Sequence, residues 1–225
     1  MFDKIVLLKQ KGYIPDTILD IGAHHGNWTV DMLKIYNTSD YHLFEANNYD
    51  ELNRFNNYSN ITKYNLLLSD KIEDVKWYQM KYTGDSMFRE QTHHFDNCDI
   101  ITRPSIDLNT FIIDNNLFND SKNIFIKIDC QGAEISILKG ATSILNRTDF
   151  ILIEIPLFGQ YNEGVSTFGE HIIFMDSIGF IPYDIIDSHY MNHFNMQVDM
   201  IFINKNHHFN RTVNELLQNQ FIEGL

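Results

Sequence analysis

The stretch Thr17-Ile18-Leu19-Asp20-Ile21-Gly22-Ala23-His24-His25-Gly26-Asn27-Trp28 decides the fold. Residues 17–21 form a short apolar run rich in β-branched side chains, which predicts a buried strand. Residues 22–26 read as a loop. Trp28, Met32 and Ile35 then recur at i, i+4 and i+7, one face of a helix. Strand, glycine turn and helix in that order open a βαβ unit. Upstream, residues 2–11 carry apolar positions at helical spacing, and Gly12 fits the residue after the last turn. Downstream, strands are expected at 41–45, 64–68, 124–128 and 150–155. Residues 75–82 look extended, and 85–103 show no clear period. Helices are expected around Tyr49, Leu52 and Phe55, over 105–117, through Ile135, Leu138 and Leu145, and at Phe168, Ile172 and Met175 with a stop near Gly179. Two late strands, 180–186 and 198–203, have a loop but no helix between them and should pair antiparallel. The expectation is an α/β domain with a doubly wound, mostly parallel sheet and a C-terminal antiparallel hairpin.

Composition narrows the function. The chain has 225 residues, 44% of them hydrophobic, so a single domain over 1–225 is expected. Within it, 1–13 would be an N-terminal helix and 72–104 an insertion. No run reaches about 18 apolar residues, so no membrane span is expected. Lys and Arg total 17 against 30 Asp and Glu, a net charge of -13. Such a chain is repelled by phosphate backbones, so nucleic acid is not the expected partner. The only cysteines are Cys98 and Cys130, and the apolar run 5–8 is too short for a signal-peptide core. A reducing, cytoplasmic compartment is expected.

Ligands of doubly wound sheets bind beyond the carboxyl ends of the strands. Gly22 and Gly26 let the chain turn tightly there and approach a ligand closely. Their spacing is not the G-x-G-x-x-G of dinucleotide binding. His25 is a candidate to line that loop. Glu45-Ala46 ends the second strand about 20 residues later, where an acidic residue usually accepts from ribose hydroxyls. Ser69-Asp70 follows the third strand and is placed for an adenine edge, or for a plain turn. The fourth strand runs Phe125-Ile126-Lys127-Ile128-Asp129, then Cys130-Gln131-Gly132-Ala133-Glu134. Lys127 and Asp129 share one face of a strand that should be buried, and buried charges are costly unless paired. Glu154 is again a charge inside an apolar run. Two carboxylates ending adjacent strands point to a site.

Three stretches resemble the FkbM family of S-adenosylmethionine-dependent methyltransferases. They are 18–29 (ILDIGAHHGNWT), 43–47 (LFEAN) and 126–141 (IKIDCQGAEISILKGA). Glu154 and 197–202 (QVDMIF) are weaker echoes. His24-His25 and Ala46 depart from the common pattern. The resemblance implies a Rossmann-like class I fold with a seven-stranded sheet and helices on both faces. It implies methyl transfer to an oxygen, typically a hydroxyl of a sugar, a glycan or another small acceptor. By position, Asp20, Gly22 and Gly26 would surround the methionine end of the cofactor, Glu45 the ribose, and Ser69 and Asp70 the adenine. Asp129 and Glu154 would face the methyl and the acceptor, with Lys127 beside them. Read from the residues alone, the aromatic stretch within 72–104, with Trp77, Tyr78, Met80, Tyr82, Met87, Phe88 and Arg89, is either an acceptor-binding element or a small satellite core, and 157–167 is a candidate mobile lid. A nicotinamide-dependent oxidoreductase, or a non-catalytic protein of the same fold, is the alternative. The pairs His24-His25, His93-His94 and His207-His208 lack any familiar zinc spacing, so no metal is expected.

Overall fold

A computed structural model describes residues 2–80 and 84–223; Tyr82 lies outside them. The first half holds α1 (Phe2–Gln10), β1 (Thr17–Ile21), α2 (Asn27–Ile35), β2 (Asp40–Glu45), a 3-10 turn (Asp50–Phe55), β3 (Ile61–Asn65), β4 (Leu67–Ser69), β5 (Glu73–Gln79) and β6 (Asp99–Asp107). The second half holds α3 (Leu108–Asn115), β7 (Ile124–Ile128), α4 (Glu134–Lys139), α5 (Thr142–Leu145), β8 (Thr148–Pro156), α6 (Phe168–Ser177), β9 (Phe180–Met191), β10 (Phe194–Asn204) and α7 (His208–Glu223).

The main sheet has seven strands in the order β3-β2-β1-β7-β8-β10-β9. It is parallel from β3 to β8, and β10 runs antiparallel to both neighbours. Alternation along the central strands sends side chains to opposite layers. Ile124, Ile126 and Ile128 pack into one core with Leu108, Ile112, Leu138 and Met175. Phe125 packs into the other, with Ile5, Leu8, Met32 and Phe209. Helices therefore cover both faces. No helix among the described residues is long and apolar enough to cross a membrane. Cys98 and Cys130 are free thiols.

Several local expectations change, and the helix expected through Ile135, Leu138 and Leu145 is two short helices, α4 and α5. The strand at 64–68 is two strands: β3 ends at Asn65, and β4 leaves for a separate three-stranded sheet, β4-β6-β5. The stretch 85–103 is irregular only as far as Asp99, where β6 begins. Its helix then starts at Leu108, because the Asp107 carboxylate accepts from the Thr110 N–H (2.8 Å) and caps it. The late hairpin is much longer, and its loop is only Asn192-His193. Both residues have positive φ (47° and 69°), the backbone of a two-residue hairpin turn.

Candidate active site

The loop after β1 is shaped by contacts that exclude side chains. Gly22 has φ +75°, and a Cβ there would stand 2.0 Å from the Asp129 carbonyl oxygen. Two loop amides, Gly22 N–H and Ala23 N–H, donate to the Phe44 carbonyl (2.9 and 3.1 Å). Glycine at 22 thus lets the ends of β1, β2 and β7 meet. Gly22→Ala is expected to lower stability by about 2–5 kcal/mol, left-handed strain plus overpacking, as read by urea unfolding. Gly26 (φ +73°) serves the turn: a Cβ would meet the Phe55 ring at 2.5 Å. Gly26 does not line the cleft.

Glu45 ends β2 with its carboxylate facing that loop. Its two oxygens accept from the His24 N–H (2.7 Å) and the Asn47 N–H (2.8 Å). Burial raises its pKa, and the two amide donors and Lys127 work against the rise. Gly22, His24, Glu45, Ala46, Asp85 and Asp129 line one side of a cleft of about 790 Å³, its open mouth included. Leu66, Leu67, Leu68, Trp77, Met87 and Ala133 give it an apolar side. A carboxylate that can accept from two hydroxyls, next to an apolar slot for a flat ring, suits an adenosine moiety.

Some sequence candidates stand elsewhere. His25 stacks on His24 (ring centroids 3.8 Å apart) and faces Glu51 (4.0 Å); His24 is the histidine that reaches the cleft. Ser69 and Asp70 are not among the residues that line the cleft; of β4, Leu67 and Leu68 are. The Ser69 hydroxyl bonds to the Lys71 carbonyl (2.9 Å) and Ser105 (3.0 Å), while exposed Asp70 accepts from Ser136 (3.2 Å). The apolar wall comes instead from 66–68 and the insertion. The aromatic richness of 72–104 was the signal for it. Trp77 and Met87 line the cofactor-sized cleft, and no described residue of 72–104 lines the second cavity. The stretch 157–167 is tied down: Gln91 N–H donates to the Tyr161 carbonyl (2.9 Å), Glu163 N–H to the Arg89 carbonyl (2.8 Å), and Arg89 pairs with Glu163 (3.0 Å).

Asp20 is fully buried and sits behind the loop. It accepts from the Thr29 hydroxyl (2.6 Å) and pairs with Lys127 (3.1 Å). Burial by itself would lower the Lys127 pKa, but the Asp20 and Asp129 charges raise it overall. Lys127 also donates to the Gly22 carbonyl (2.8 Å) and stands 3.7 Å from Asp129. It therefore joins β1, its loop and β7. Asp129 follows β7, with 46% of its side chain exposed, and Gln131 Nε2 donates to it (3.1 Å). It lines both the cleft and a second cavity, which is walled by Trp28, Asp31, Lys127, Leu152, Glu154 and Asp199. Glu154 accepts from Gln197 Nε2 (2.6 Å) and Gln131 Nε2 (3.4 Å). Burial, and then the charges of Asp129, Glu134 and Asp199, raises its pKa. Glu154 also faces His189 (3.9 Å), a residue the sequence reading passed over.

Glu134, part of the 126–141 stretch, has a role that the sequence does not assign. Its carboxylate accepts from the Cys130 N–H (2.9 Å) and the Gly132 N–H (3.3 Å), bracing a loop with positive φ at Gln131 and Gly132. Burial, with the Asp129 charge adding to it, pushes its pKa from 4.5 up to about 7. Below pH 4.5 the group is protonated folded or unfolded. Above that only the unfolded chain ionises, so stability falls as pH rises towards 7, by about 3 kcal/mol from this group. Urea unfolding at pH 5 and pH 8 should show a smaller loss in Glu134→Gln than in the native protein; burial also raises the Glu154 and Asp149 carboxyls, which contribute to the loss in both.

The profile of the methyltransferase FkbM domain matches residues 20–182. A methyltransferase FkbM from Methylobacillus flagellatus superposes with TM-score 0.51 at 14% identity, covering 83% of this chain and 43% of that one. This chain thus spans less than half the length of that protein. The Burkholderia thailandensis 1,6-didemethyltoxoflavin-N1-methyltransferase, solved with 1,6-didemethyltoxoflavin and S-adenosylhomocysteine, superposes with TM-score 0.51 at 11% identity, covering 90% and 76%. The pre-rRNA processing protein fibrillarin of Methanococcus jannaschii gives 0.50 at 13%, covering 86% and 68%. At these identities the structural likeness is one of fold. No curated protein sequence matches the chain. The profile match, over more than half the residues, shows that the chain belongs to the FkbM methyltransferase family, whose members depend on S-adenosylmethionine.

Proposed function

We propose that this chain transfers a methyl group from S-adenosylmethionine to a hydroxyl oxygen of a sugar or glycan. One observation carries the reading: the Asp129 carboxylate stands on the wall shared by the cofactor-sized cleft and the second cavity. Glu45 would hold the ribose hydroxyls, and the apolar side from Leu66 to Leu68 with Trp77 and Met87 the adenine. When bound, the cofactor supplies an electrophilic methyl on a sulfonium.

The chain's own residues do the rest. A neutral hydroxyl is a poor nucleophile, so a base should take its proton as the new bond forms. Asp129 is half-exposed and reaches the acceptor side, which suits that task. Glu154 is held by two amides, so it is the second candidate. Lys127 is a positioning residue: it fixes the Gly22 loop and stands beside Asp129. Alignment matters most in such a displacement, where well-oriented reactions gain about 7–11 kcal/mol. The Trp28 side chain offers a flat apolar surface against which a sugar ring can lie. A carboxylate base favours a hydroxyl over an amine, because a neutral amine attacks without prior loss of a proton.

The test is an incubation with methyl-labelled S-adenosylmethionine and a panel of sugars, sugar nucleotides, amines, thiols and carboxylic acids. Products are read by mass spectrometry before and after alkali. An alkali-stable methyl ether on a sugar is expected. Turnover confined to amines, thiols or alkali-labile esters contradicts the proposal.

A further inference from the structure

Beyond Asp129, three strands bring Glu154 (β8), His189 (β9) and Asp199 (β10) together. Their ligand atoms all lie within 4.8 Å of one another. His189 Nε2 is 3.3 Å from Asp199 Oδ2 and 3.9 Å from Glu154 Oε2. Glu154 and Asp199 are direct cross-strand partners in the antiparallel pair. Like charges in that relation destabilise a sheet. Their side chains are only 12% and 11% exposed, so water screens them poorly. Lys127, the ammonium lining the same cavity, is already paired with Asp20 at 3.1 Å. Of the basic groups among the described residues, His189 is then the one that faces both carboxyl groups.

Three further features point to a ligand and not to a packing accident. Glu154 Oε1 is fixed by the Gln197 and Gln131 amides, which leaves Oε2 as the oxygen facing His189. Such outer hydrogen bonds orient the ligands of a metal. All three residues lie on strands, which hold donors more firmly than loops do. Glu154 and Asp199 also line an open cavity with Asp129, so an ion and further ligands have room to enter.

We propose that Glu154, His189 and Asp199 form a binding site for one divalent cation of the Mn²⁺ or Mg²⁺ class. Donors about 2.1 Å from such an ion, in adjacent positions, lie about 3 Å apart, so the observed spacings need only small side-chain rotations. Two carboxylates and one imidazole match a hard cation that tolerates nitrogen. Three protein ligands leave coordination positions free. The ion would balance the facing carboxylates and hold acceptor oxygens next to Asp129. That use of the ion rests on the methyl-transfer reading; its binding does not.

The experiment is a Mn²⁺ titration of the metal-stripped 225-residue chain, followed by electron paramagnetic resonance, with Mg²⁺ as competitor. S-adenosylhomocysteine calorimetry runs beside it. One Mn²⁺ per chain is expected. His189→Ala, a half-exposed position whose change should leave folding intact, and Asp199→Asn should each weaken Mn²⁺ at least ten-fold, with S-adenosylhomocysteine binding retained. Absence of Mn²⁺ binding overturns the site. Binding that neither substitution weakens overturns it as well. Mn²⁺ binding lost on substitution, in a protein that does not bind S-adenosylhomocysteine, supports the cation site and removes the methyl-transfer reading.

Discussion

Asp129→Asn is expected to lower turnover by about 10²- to 10⁴-fold, the usual contribution of a positioned general base. S-adenosylhomocysteine affinity should change less than about three-fold. The substitution is nearly isosteric, and the side chain stands at the boundary of the cleft, 46% exposed, where an amide is tolerated. The acceptor-side chemistry loses its base, while Glu45 and the apolar wall are untouched. The check is kcat against the Kd for S-adenosylhomocysteine in the same preparation. Full turnover in Asp129→Asn would remove the base assignment. Equal loss of binding and turnover would make Asp129 a cofactor contact.

Glu45→Gln should weaken S-adenosylhomocysteine at least 100-fold. Two backbone amides already point at the two Glu45 oxygens, from His24 (2.7 Å) and Asn47 (2.8 Å). An amide nitrogen in place of one oxygen faces a donor with a donor, so the side chain must turn. The charged acceptor for ribose hydroxyls goes with it. Hydrogen bonds to charged groups contribute about 1.5–3 kcal/mol each, so losing them corresponds to about 100-fold or more in Kd. Calorimetry on the native protein and the variant measures it, and circular dichroism confirms that the variant is folded.

The central sheet was legible because its strands are buried on both faces. β1 and β7 have no exposed residue, so their apolar runs stand out between glycine and polar turns. Charges inside such runs, at Asp20, Lys127, Glu154 and Asp199, are conspicuous for the same reason. The second sheet was not legible. β6 is exposed along most of its length, with Ile100 and Ile101 facing outward, and Pro104 argues against a strand in sequence. Its backbone ladder to β4 and β5 holds it, and that pairing leaves no alternation to read. The direction of Ser69 and Asp70 depends on where β4 goes, and the local sequence does not carry that.

The site was half legible. Residues contributed by strand ends, Gly22, Glu45, Asp129 and Glu154, were visible as polar or glycine breaks after apolar runs. Those that act by bracing backbone, such as Glu134, leave no local signature. His189 lies on an exposed hairpin arm, and only the register of β9 against β10 brings it to Glu154 and Asp199. The two-residue turn at Asn192-His193 and a bulge between Asn195 and Gln197 together set that register, which puts His189 opposite Gln197. Neither residue there is glycine, so the turn gave little notice of itself.

The most direct test is one calorimetric titration of the purified full chain with S-adenosylhomocysteine, with NAD in parallel and Glu45→Gln as the control. Saturable binding of S-adenosylhomocysteine, no binding of NAD, and a loss of at least 100-fold in Glu45→Gln is the predicted result. A folded protein that ignores S-adenosylhomocysteine, or binds it equally well without the Glu45 carboxylate, would contradict the assignment of this cleft.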